Sequence, residues 1–556
     1  MYWLNDDSRL FLKRGYLLEG ETAEERIRAI AEKAEDILQM EGFADKFYDY
    51  MSRGFYSLAS PVWSNFGNER GLPISCYGSN IEDNMADILY TQAEVGMMSK
   101  YGGGTSGYFG HLRPRGTEIK NNGQSSGAVH FMELFESITD VVSQGSTRRG
   151  QFSPYLPIDH GDIDEFLRIG SEGNPIQGLT HGVTVRDDWM EAMIAGDAEK
   201  RATWAKVLQS RVEIGYPYIF FTDTVNEGKP QVYKDKNLEI RHSNLCSEIA
   251  LPSNEDWSFV CNLSSINAAR YDEWKDTDAV ETMVFFLDAV LQEFIDKLEA
   301  MKNSDRKENR ASYEFMKKAH KFAQENRAIG LGVLGWHSFL QSKMIPFNSV
   351  EADAYNVDIF STIDIRAKKA SKKLAELFGE PKVLEGYGRR NATLTAIAPT
   401  TSSSFILGQV SQSIEPLFSN IYVKDLDKSK ITVKNPKLVE LLEEKGQNTR
   451  AVWNDIRNHD GSVQHLDFLS EHEKDVFKTF SEIDQMAIIN QAARRQDFID
   501  QSQSLNLMVN PIIKVKDINE LHIEAWKKGV KTLYYQHSTN AAQQFNQRKV
   551  CVACEA

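Results

Sequence analysis

The chain has 556 residues, 41% of them hydrophobic and 26% charged, which is typical of a globular protein long enough for several domains. The net charge of −15 argues against a nucleic-acid-coating surface, and no run approaches the roughly 20 apolar residues that cross a bilayer. The N-terminal residues lack a signal-peptide core, and five cysteines are too few for a disulfide framework. We therefore predict a cytoplasmic protein that keeps its cysteines for chemistry and has no nucleic-acid or membrane partner.

Helical patterns alternate with short β-rich runs along the chain. The first clear helix follows Thr22, which forms a capping box with Glu25 ahead of apolar residues at helical spacing. A long helix with one apolar stripe is predicted after Asp278. The β-rich runs read YPYIFFTD, RAIGLGVLGW, ATLTAIAPT and GVKTLYYQ. This alternation predicts an α/β fold with parallel strands and with function carried on loops.

Two glycine-rich stretches invite a nucleotide-binding interpretation. Gly330 to Gly335 match G-x-G-x-x-G, but the residues before them have a polar helical pattern instead of a strand. We interpret this stretch as a tightly packed, glycine-containing strand. The second stretch, YGGGTSGYFGHLRPRG at 101–116, lacks the Lys-Ser/Thr of a Walker sequence, so a nucleotide-contacting loop and a surface loop both remain open.

The segment SNLCSEIALPS at 243–253 places Asn244, Cys246 and Glu248 two residues apart. In an extended segment their side chains face one side, so an amide, a thiol and a carboxylate would share a cavity. The amide can hold a ligand, the carboxylate can move a proton, and the thiol can do nucleophilic or one-electron chemistry. On these residues alone, a buried structural cysteine remains the alternative.

The other cysteines are Cys76, Cys261 and the C-terminal pair Cys551 and Cys554. A lone C-x-x-C supplies two ligands, and no second pair or histidine cluster lies near it in sequence, so we predict no metal site there. The pair suits thiol–disulfide exchange with a distant pair, which Cys76 and Cys261 could form in the fold.

Several motifs together resemble the large, catalytic subunit of class I ribonucleotide reductase from about residue 55 to the C-terminus. They are SNLCSEIALP, APTTSSS followed by SIEP, GVKTLYYQ, SQGSTRRG and the five cysteine positions. The resemblance implies an α/β barrel of ten strands in two five-stranded parallel halves, with a central finger loop at about 243–252. It also implies three parts: a short helical region at 1–55 with no room for an ATP-binding cone, a catalytic barrel at 56–535, and a flexible redox tail at 536–556.

The resemblance also assigns roles to the cysteines and their neighbours. Cys246 is expected to be the thiyl-radical cysteine that abstracts the ribose 3′-hydrogen, with Glu248 as the base on the 3′-hydroxyl and Asn244 as its companion. Cys76 and Cys261 are expected to reduce the 2′-carbon and to end as a disulfide. The tail pair, Cys551 and Cys554, is expected to reduce that disulfide and to receive electrons from thioredoxin or glutaredoxin.

The adjacent Tyr534 and Tyr535 end a β-like run. On a strand they would point to opposite faces, which is typical of core packing. The resemblance implies a different role, a relay that passes an oxidising equivalent from a small radical-generating subunit to Cys246. The metal or radical cofactor would then belong to that partner, with none bound in this chain.

Substrate and effector residues also follow from the resemblance. Ser402, Ser403 and Ser404 would contact the diphosphate, with Ser60 and Ser75 near the substrate; without the resemblance they describe a serine-rich turn or helix cap. Asp83, Arg113 and Arg148 would be the effector residues of a specificity site for a dNTP or ATP at the interface of a homodimer. Asp83 would hold the effector's ribose or base edge and Arg113 its phosphates. Arg148, in a second loop, would relay the effector's identity to the substrate base, although it also fits a solvated basic turn. We expect one effector dNTP per protomer and no second dATP site.

The predicted function is the reduction of ribonucleoside diphosphates to 2′-deoxyribonucleoside diphosphates for DNA synthesis. One alternative is an adenosylcobalamin-dependent reductase of the same superfamily, which needs no small subunit; the tyrosine pair argues against it. Another is a plain dithiol oxidoreductase that uses the tail cysteines, which leaves SNLCSE and PTTSSS unexplained.

Overall fold

The computed structural model describes residues 1–145, 148–426, 429–510 and 512–538. Cys551 and Cys554 lie outside these ranges. The strands are β1 Tyr56–Leu58, β2 Cys76–Asn80, β3 Gly104–Tyr108, β4 Glu118–Ile119, β5 Gly123–Gln124, β6 Phe152–Pro157, β7 Gly182–Val185, β8 Tyr218–Phe221, β9 Phe259–Asn267, β10 Ile329–Leu334, β11 Ile421–Leu426, β12 Ser429–Lys434, β13 Leu507–Val509, β14 Thr532–Leu533 and β15 Gln536–Ser538.

The α-helices fall into three groups along the chain. The first twelve are α1 Asp6–Leu12, α2 Ala23–Leu38, α3 Phe43–Ser52, α4 Ser60–Asn65, α5 Met85–Lys100, α6 Ala128–Val141, α7 Ile163–Phe166, α8 Asp187–Ala195, α9 Ala198–Ile214, α10 Thr222–Glu227, α11 Gln231–Asp235 and α12 Tyr271–Trp274. The next six are α13 Ala279–Lys302, α14 Lys307–Glu314, α15 Lys317–Asn326, α16 Trp336–Ser342, α17 Val350–Phe378 and α18 Thr401–Ile406. The last five are α19 Pro436–Glu444, α20 Arg450–Asn458, α21 Glu471–Val476, α22 Gln485–Gln496 and α23 Val515–Lys527. Short 3₁₀ helices cover Ala268–Arg270, Lys382–Leu384 and Phe480–Glu482.

The strands form a closed barrel of two halves. In the first half β2, β3, β6, β7 and β8 pair in parallel in that order. In the second half β9 and β10 pair in parallel. A parallel bridge joins Leu331 of β10 to Thr395, and a second one joins Ile397, in the same segment as Thr395, to Gln503 in the next segment. Tyr534 N–H donates to Leu505 O at 2.9 Å, which places β14 beside this last segment.

Both seams between the halves are antiparallel. At one seam β2 pairs with β9, and at the other β8 pairs with β14. Counting the two bridged segments as strands, each half has five members, so the predicted ten-stranded barrel is confirmed. Parallel strands need covering helices on their outer face, which explains the alternation of strands and helices in the sequence.

The two predicted helices are present. The N-terminal one is α2, which begins after the Thr22–Glu25 capping box and packs on α3. The long one is α13, whose predicted apolar stripe is buried against β9, β10 and α17. No helix among the described residues is long and apolar enough to span a membrane.

The G-x-G-x-x-G stretch lies inside β10 and not after a strand, so the packed-strand interpretation is confirmed. A Cβ added at Gly330 would lie 3.1 Å from the Cys261 sulfur and 2.4 Å from Leu263 Cδ2. Glycine therefore lets β10 approach the cysteine-bearing strand β9 closely. In the other glycine-rich stretch, Gly104 begins the core strand β3, so the surface-loop interpretation is wrong for its first half.

A lobe at residues 421–480 stands beside the barrel. It contains the β11–β12 hairpin and helices α19, α20 and α21. Its own apolar cluster includes Leu438, Leu442, Trp453, Ile456 and Val463.

Candidate active site

The finger loop at residues 243–252 is hydrogen-bonded to both halves of the barrel. From the first half, the Tyr155 hydroxyl donates to Asn244 O at 2.8 Å. From the second, Thr532 Oγ1 donates to Ser247 O at 2.8 Å and Ser504 Oγ donates to Cys246 O at 2.5 Å. These bonds fix the loop in the barrel interior, where Cys246 is 2% exposed.

The expected extended conformation of this segment is wrong. Residues 244–247 form a tight turn in which Ser247 has φ of 68°, in the left-handed region, and Ser247 N–H donates to Asn244 O at 3.5 Å. Asn244 Oδ1 accepts a bond from Ile249 N–H at 3.1 Å, so the amide folds back over the turn toward Glu248. The turn, and not strand alternation, places the amide and the carboxylate together.

Cys76 and Cys261 face each other across the β2–β9 seam. They are direct register partners on the two antiparallel strands. Opposed residues on such strands have Cα atoms about 4.5–5.5 Å apart, which is within disulfide reach. The finger loop contacts the pair, because Asn244 Nδ2 donates to Cys76 Sγ at 3.1 Å. Gln501 Nε2 lies 3.5 Å from Cys261 Sγ on the other side.

Burial controls the protonation of this cluster. It raises the pKa of Glu248 to about 7, against the opposing effects of hydrogen bonds from Asn244 and Ser504 and of the Arg148 charge. It raises the pKa of the Cys76 thiol to about 12 and that of Cys261 well above its usual value. Near neutral pH, Glu248 can therefore take or give a proton while both thiols keep theirs.

The three predicted effector residues do not lie together. Asp83 and Arg113 form an ion pair of 2.6 Å beyond the carboxyl ends of β2 and β3. Cys76 begins β2 and Asn80 ends it, so about 13 Å of strand separates that pair from the cysteines. Arg148 lies at the cysteine end: its Nη1 donates to Gly102 O at 3.0 Å, and its charge lowers the pKa of Cys76 and of Glu248.

Ser402, Ser403 and Ser404 lie in the first turn of α18, and Ser60 is the first residue of α4. Hydrogen bonds join the start of α18 to the residues just before α4. Ser403 Oγ donates to Leu58 O at 3.1 Å, and Ser57 Oγ donates to Ser403 O at 2.7 Å. Ser404 Oγ pairs with Thr400 Oγ1 at 2.9 Å, and Ser60 Oγ with the Tyr16 hydroxyl at 3.0 Å.

Two of the predicted serines differ from the others. The buried hydroxyls of Ser75 and Ser402 have no hydrogen-bond partner within the described parts of the chain. A buried hydroxyl without a partner costs free energy, which distinguishes these two from the other predicted serines, whose hydroxyls are hydrogen-bonded.

The tyrosine pair does not point to opposite faces as expected for a strand. β14 ends at Leu533, and the rings of Tyr534 and Tyr535 lie 4.4 Å apart at 54°. The Tyr218 ring lies 4.8 Å from that of Tyr534 and 5.2 Å from that of Tyr535. Because Tyr534 N–H bonds to Leu505 O and Ser504 bonds to Cys246 O, the pair is connected to the finger loop through two adjacent residues.

Sequence reasoning gave no role to Glu415, Gln501, Ser504 and Asn506. Gln501 Oε1 accepts from Ala250 N–H at 3.0 Å, and Asn506 Oδ1 accepts from Tyr535 N–H at 3.0 Å while its amide donates to Glu415. Burial raises the pKa of Glu415 to about 8. The SIEP motif was the one available signal for Glu415, while the polar run DQSQSLN at 500–506 gave none without the fold.

A cavity of about 340 Å³ opens beside the tyrosines. Its walls include Ser404, Glu415, Phe418, Tyr422, Asn506, Tyr534 and Tyr535. It therefore joins the serine segment to the tyrosine pair. Within the described ranges, the one group of three potential metal ligands lies elsewhere, in the lobe at 421–480.

Comparisons with known proteins agree with this geometry. The model of the ribonucleotide reductase barrel domain matches residues 74–199, 195–383 and 381–536, and that of the ribonucleotide reductase all-alpha domain matches residues 2–71. The chain is 35% identical to the ribonucleoside-diphosphate reductase large subunit of Invertebrate iridescent virus 3, over 95% of this chain and 92% of the viral protein. It is 36% identical to the putative large subunit of Frog virus 3, over 88% and 87%.

Solved structures are similar as well. The class Id ribonucleotide reductase alpha subunit of Actinobacillus ureae superposes with a TM-score of 0.90 at 55% identity, over 97% of this chain and 98% of that one.

Proposed function

The chain belongs to the ribonucleotide reductase large-subunit family, and we propose that its barrel site reduces ribonucleoside diphosphates with the residues described above. As a member of this family it is a ribonucleoside-diphosphate reductase catalytic subunit that acts on nucleotides together with a small subunit. The roles of individual residues, the reductant and the dimer are our proposal.

In the proposed first step, a thiyl radical on Cys246 abstracts the hydrogen atom from the 3′-carbon, and Glu248 accepts the proton of the 3′-hydroxyl. Support comes from the hydrogen bonds that fix the finger loop and from the pKa of about 7 for Glu248. A base whose pKa lies near the working pH transfers protons most effectively. Asn244 holds the turn and contacts both Glu248 and Cys76.

In the next steps the 2′-hydroxyl leaves as water and Cys76 with Cys261 supplies two electrons. Two thiols lose two hydrogens and become one disulfide: one hydrogen leaves in the water and the other is transferred to the 2′-carbon. Cys246 then returns its hydrogen to the 3′-carbon. The register pairing of Cys76 with Cys261 supports this, since the disulfide forms without moving either strand. The balance is one ribonucleotide and one dithiol converted to one deoxyribonucleotide, one disulfide and one water.

The oxidising equivalent would reach Cys246 through Tyr535 and Tyr534 from the cofactor of the small subunit. Rings 4.4 Å apart are close enough for such a transfer, and their cavity opens toward Phe418 and Tyr422, which are exposed. Ser75 and Ser402 would bind the diphosphate, with Ser60, Ser403 and Ser404 shaping that site.

The remaining proposals concern partners. Cys551 and Cys554 would reduce the Cys76–Cys261 disulfide and would be reduced by thioredoxin or glutaredoxin. Asp83 and Arg113 would bind a dNTP effector at a homodimer interface. Arg148 would then transmit the effector's identity to the substrate, since its side chain reaches the cysteine end of β2.

The pairing of Cys76 with Cys261, in contact with the finger loop through Asn244, carries the proposal. Turnover of CDP tests it, with candidate small subunits and adenosylcobalamin supplied in separate reactions. We expect dCDP to form only with a small subunit. Turnover with adenosylcobalamin alone would assign the chain to the cobalamin-dependent alternative, and thiol–disulfide exchange without any dCDP would favour the plain oxidoreductase.

A further inference from the structure

Two imidazoles and a carboxylate converge on the surface of the lobe at 421–480. Asp455 lies in α20, His459 caps its C-terminus, and His465 follows in the next loop. Asp455 and His459 are four residues apart, so they share one helix face. Their potential ligand atoms and that of His465 all lie within 4.8 Å of one another.

The individual distances suit a bound cation. His465 Nε2 lies 3.1 Å from Asp455 Oδ2, and His459 Nδ1 lies 3.3 Å from Asp455 Oδ1. Two ligand atoms held at tetrahedral angles on one zinc ion, each about 2.0–2.1 Å from it, are about 3.3 Å apart. Each imidazole nitrogen lies at about that distance from one oxygen of the Asp455 carboxylate, His459 from Oδ1 and His465 from Oδ2.

The imidazole rings of His459 and His465 also stack on each other. Their centroids are 3.6 Å apart at 18°, and the buried Nδ1 of His465 has no hydrogen-bond partner among the described residues. The His459 side chain is half-exposed. Its Nδ1 also lies 2.9 Å from Asp455 O, so cation binding at this atom requires the tautomer protonated at Nε2.

We propose that Asp455, His459 and His465 bind one divalent late transition-metal ion, for which Zn²⁺ is the probe. Imidazole favours Zn²⁺, Ni²⁺ and Cu²⁺ over Mg²⁺ and Ca²⁺, and one carboxylate with two imidazoles is a frequent zinc ligand set. The site is separate from the cysteines and tyrosines of the barrel.

The ion would hold the end of α20 to the loop at 460–466. That loop is bonded to the segment before β11, because Asn420 Nδ2 donates to Gly461 O at 2.9 Å and Ser419 Oγ to Asp460 O at 3.4 Å. Ser419 and Tyr422 line the cavity beside Tyr534 and Tyr535. Metal binding therefore stiffens the lobe on the side that forms the cavity wall.

The test measures Zn²⁺ affinity by competition with a chromogenic chelator, and Co²⁺ coordination by visible absorption. It uses the full chain with Cys551→Ser and Cys554→Ser, because the tail thiols would otherwise bind either metal. We expect one ion per chain and intense d–d bands of four- or five-coordinate Co²⁺ without thiolate charge transfer.

Asp455→Asn, His459→Gln and His465→Gln should each lower the Zn²⁺ affinity at least tenfold. They should also abolish the Zn²⁺-dependent rise in melting temperature and the slower hydrogen exchange at residues 459–466. His130→Gln is the matched control, since His130 has a carboxylate neighbour, Glu133, at 3.3 Å but no third ligand in that group. Unchanged affinity in Asp455→Asn and His465→Gln, or losses that His130→Gln reproduces, would overturn the proposal.

Discussion

The two halves of the barrel differ in how regularly their strands pair. In the first half, strands of four to six residues form continuous parallel ladders from β2 to β8. In the second half only β9 and β10 do so, while the segments at 395–397 and 503 meet their neighbours through single bridges and β14 has two residues. The polar residues Gln501 to Ser504 are nevertheless fully buried there.

The half with fewer backbone pairs between its strands is also the half whose side chains contact the reactive groups. Side chains of the irregular half bond to the finger loop or to Cys261, as Gln501, Ser504 and Thr532 do. The regular half contributes mainly the strand that carries Cys76 and the Tyr155 hydroxyl. Five predictions, in order of decreasing effect, test this division between a scaffold half and a half that holds the reactive loop.

Cys246→Ser should abolish deoxynucleotide formation, because a serine hydroxyl does not form the radical that a thiol forms. The substitution is nearly isosteric, so the melting temperature should change by no more than about 2 °C. Product assays and nucleotide binding on the same sample check this. More than a few per cent residual activity would place the radical chemistry outside the finger loop.

Tyr534→Phe and Tyr535→Phe should each remove nearly all turnover with the small subunit. Phenylalanine keeps the packing against Tyr218 but lacks the hydroxyl that couples proton and electron transfer. Melting temperature is the matched measurement, and it should stay nearly constant. A variant that is strongly destabilised but still active would support core packing instead.

Cys551→Ser with Cys554→Ser should stop turnover with thioredoxin or glutaredoxin and largely preserve it with dithiothreitol. A small dithiol reaches the Cys76–Cys261 pair directly, whereas a protein reductant needs an intermediate dithiol. Steady-state assays with each reductant decide the matter. Equal loss with all reductants would show that the tail pair serves structure or metal binding.

Turnover should rise with pH through about 7, because Glu248 accepts a proton only as the carboxylate and burial raises its pKa to about 7. Below that pH the rate should fall about tenfold per pH unit. The rate against pH checks this, and Glu248→Gln should give a low, flat profile. Glu415 is a second buried carboxyl group, with a pKa of about 8. The Glu415→Gln variant shows which of the two groups controls the rate: if the fall in rate at low pH disappears in this variant, the titration belongs to Glu415.

Ser402→Ala should raise KM for the diphosphate substrate about ten- to a hundredfold, the loss of one hydrogen bond to a charged group. It should not lower stability, because the hydroxyl has no partner within the described residues and its removal relieves the cost of burying it. Ser403→Ala is the contrasting variant: its hydroxyl bonds to Leu58 O, so it should lower stability by about 1 kcal/mol. Steady-state kinetics and melting curves of both variants check this, and equal KM values would remove Ser402 from the phosphate site.

Local patterns predicted the elements well where one physical rule dominates. The Thr22–Glu25 capping box fixed the start of α2, and the apolar stripe after Asp278 fixed α13. The prediction failed at the finger loop and at the tyrosine pair. At both places the backbone leaves regular geometry, at Ser247 with a left-handed φ and after Leu533 with the end of the strand, and tertiary hydrogen bonds hold it there.

The sequence by itself determined the family and the inventory of reactive groups, because motifs such as SNLCSE and the cysteine positions are local and specific. Only the tertiary structure decided which groups meet. Cys76 and Cys261 are distant in sequence and become register partners across a seam between the barrel halves. Arg148 lies at the cysteine end of β2, away from the Asp83–Arg113 ion pair, and the sequence did not show this separation of the three predicted effector residues. Long-range pairing of this kind depends on barrel closure, and barrel closure leaves no signal in a local stretch of residues.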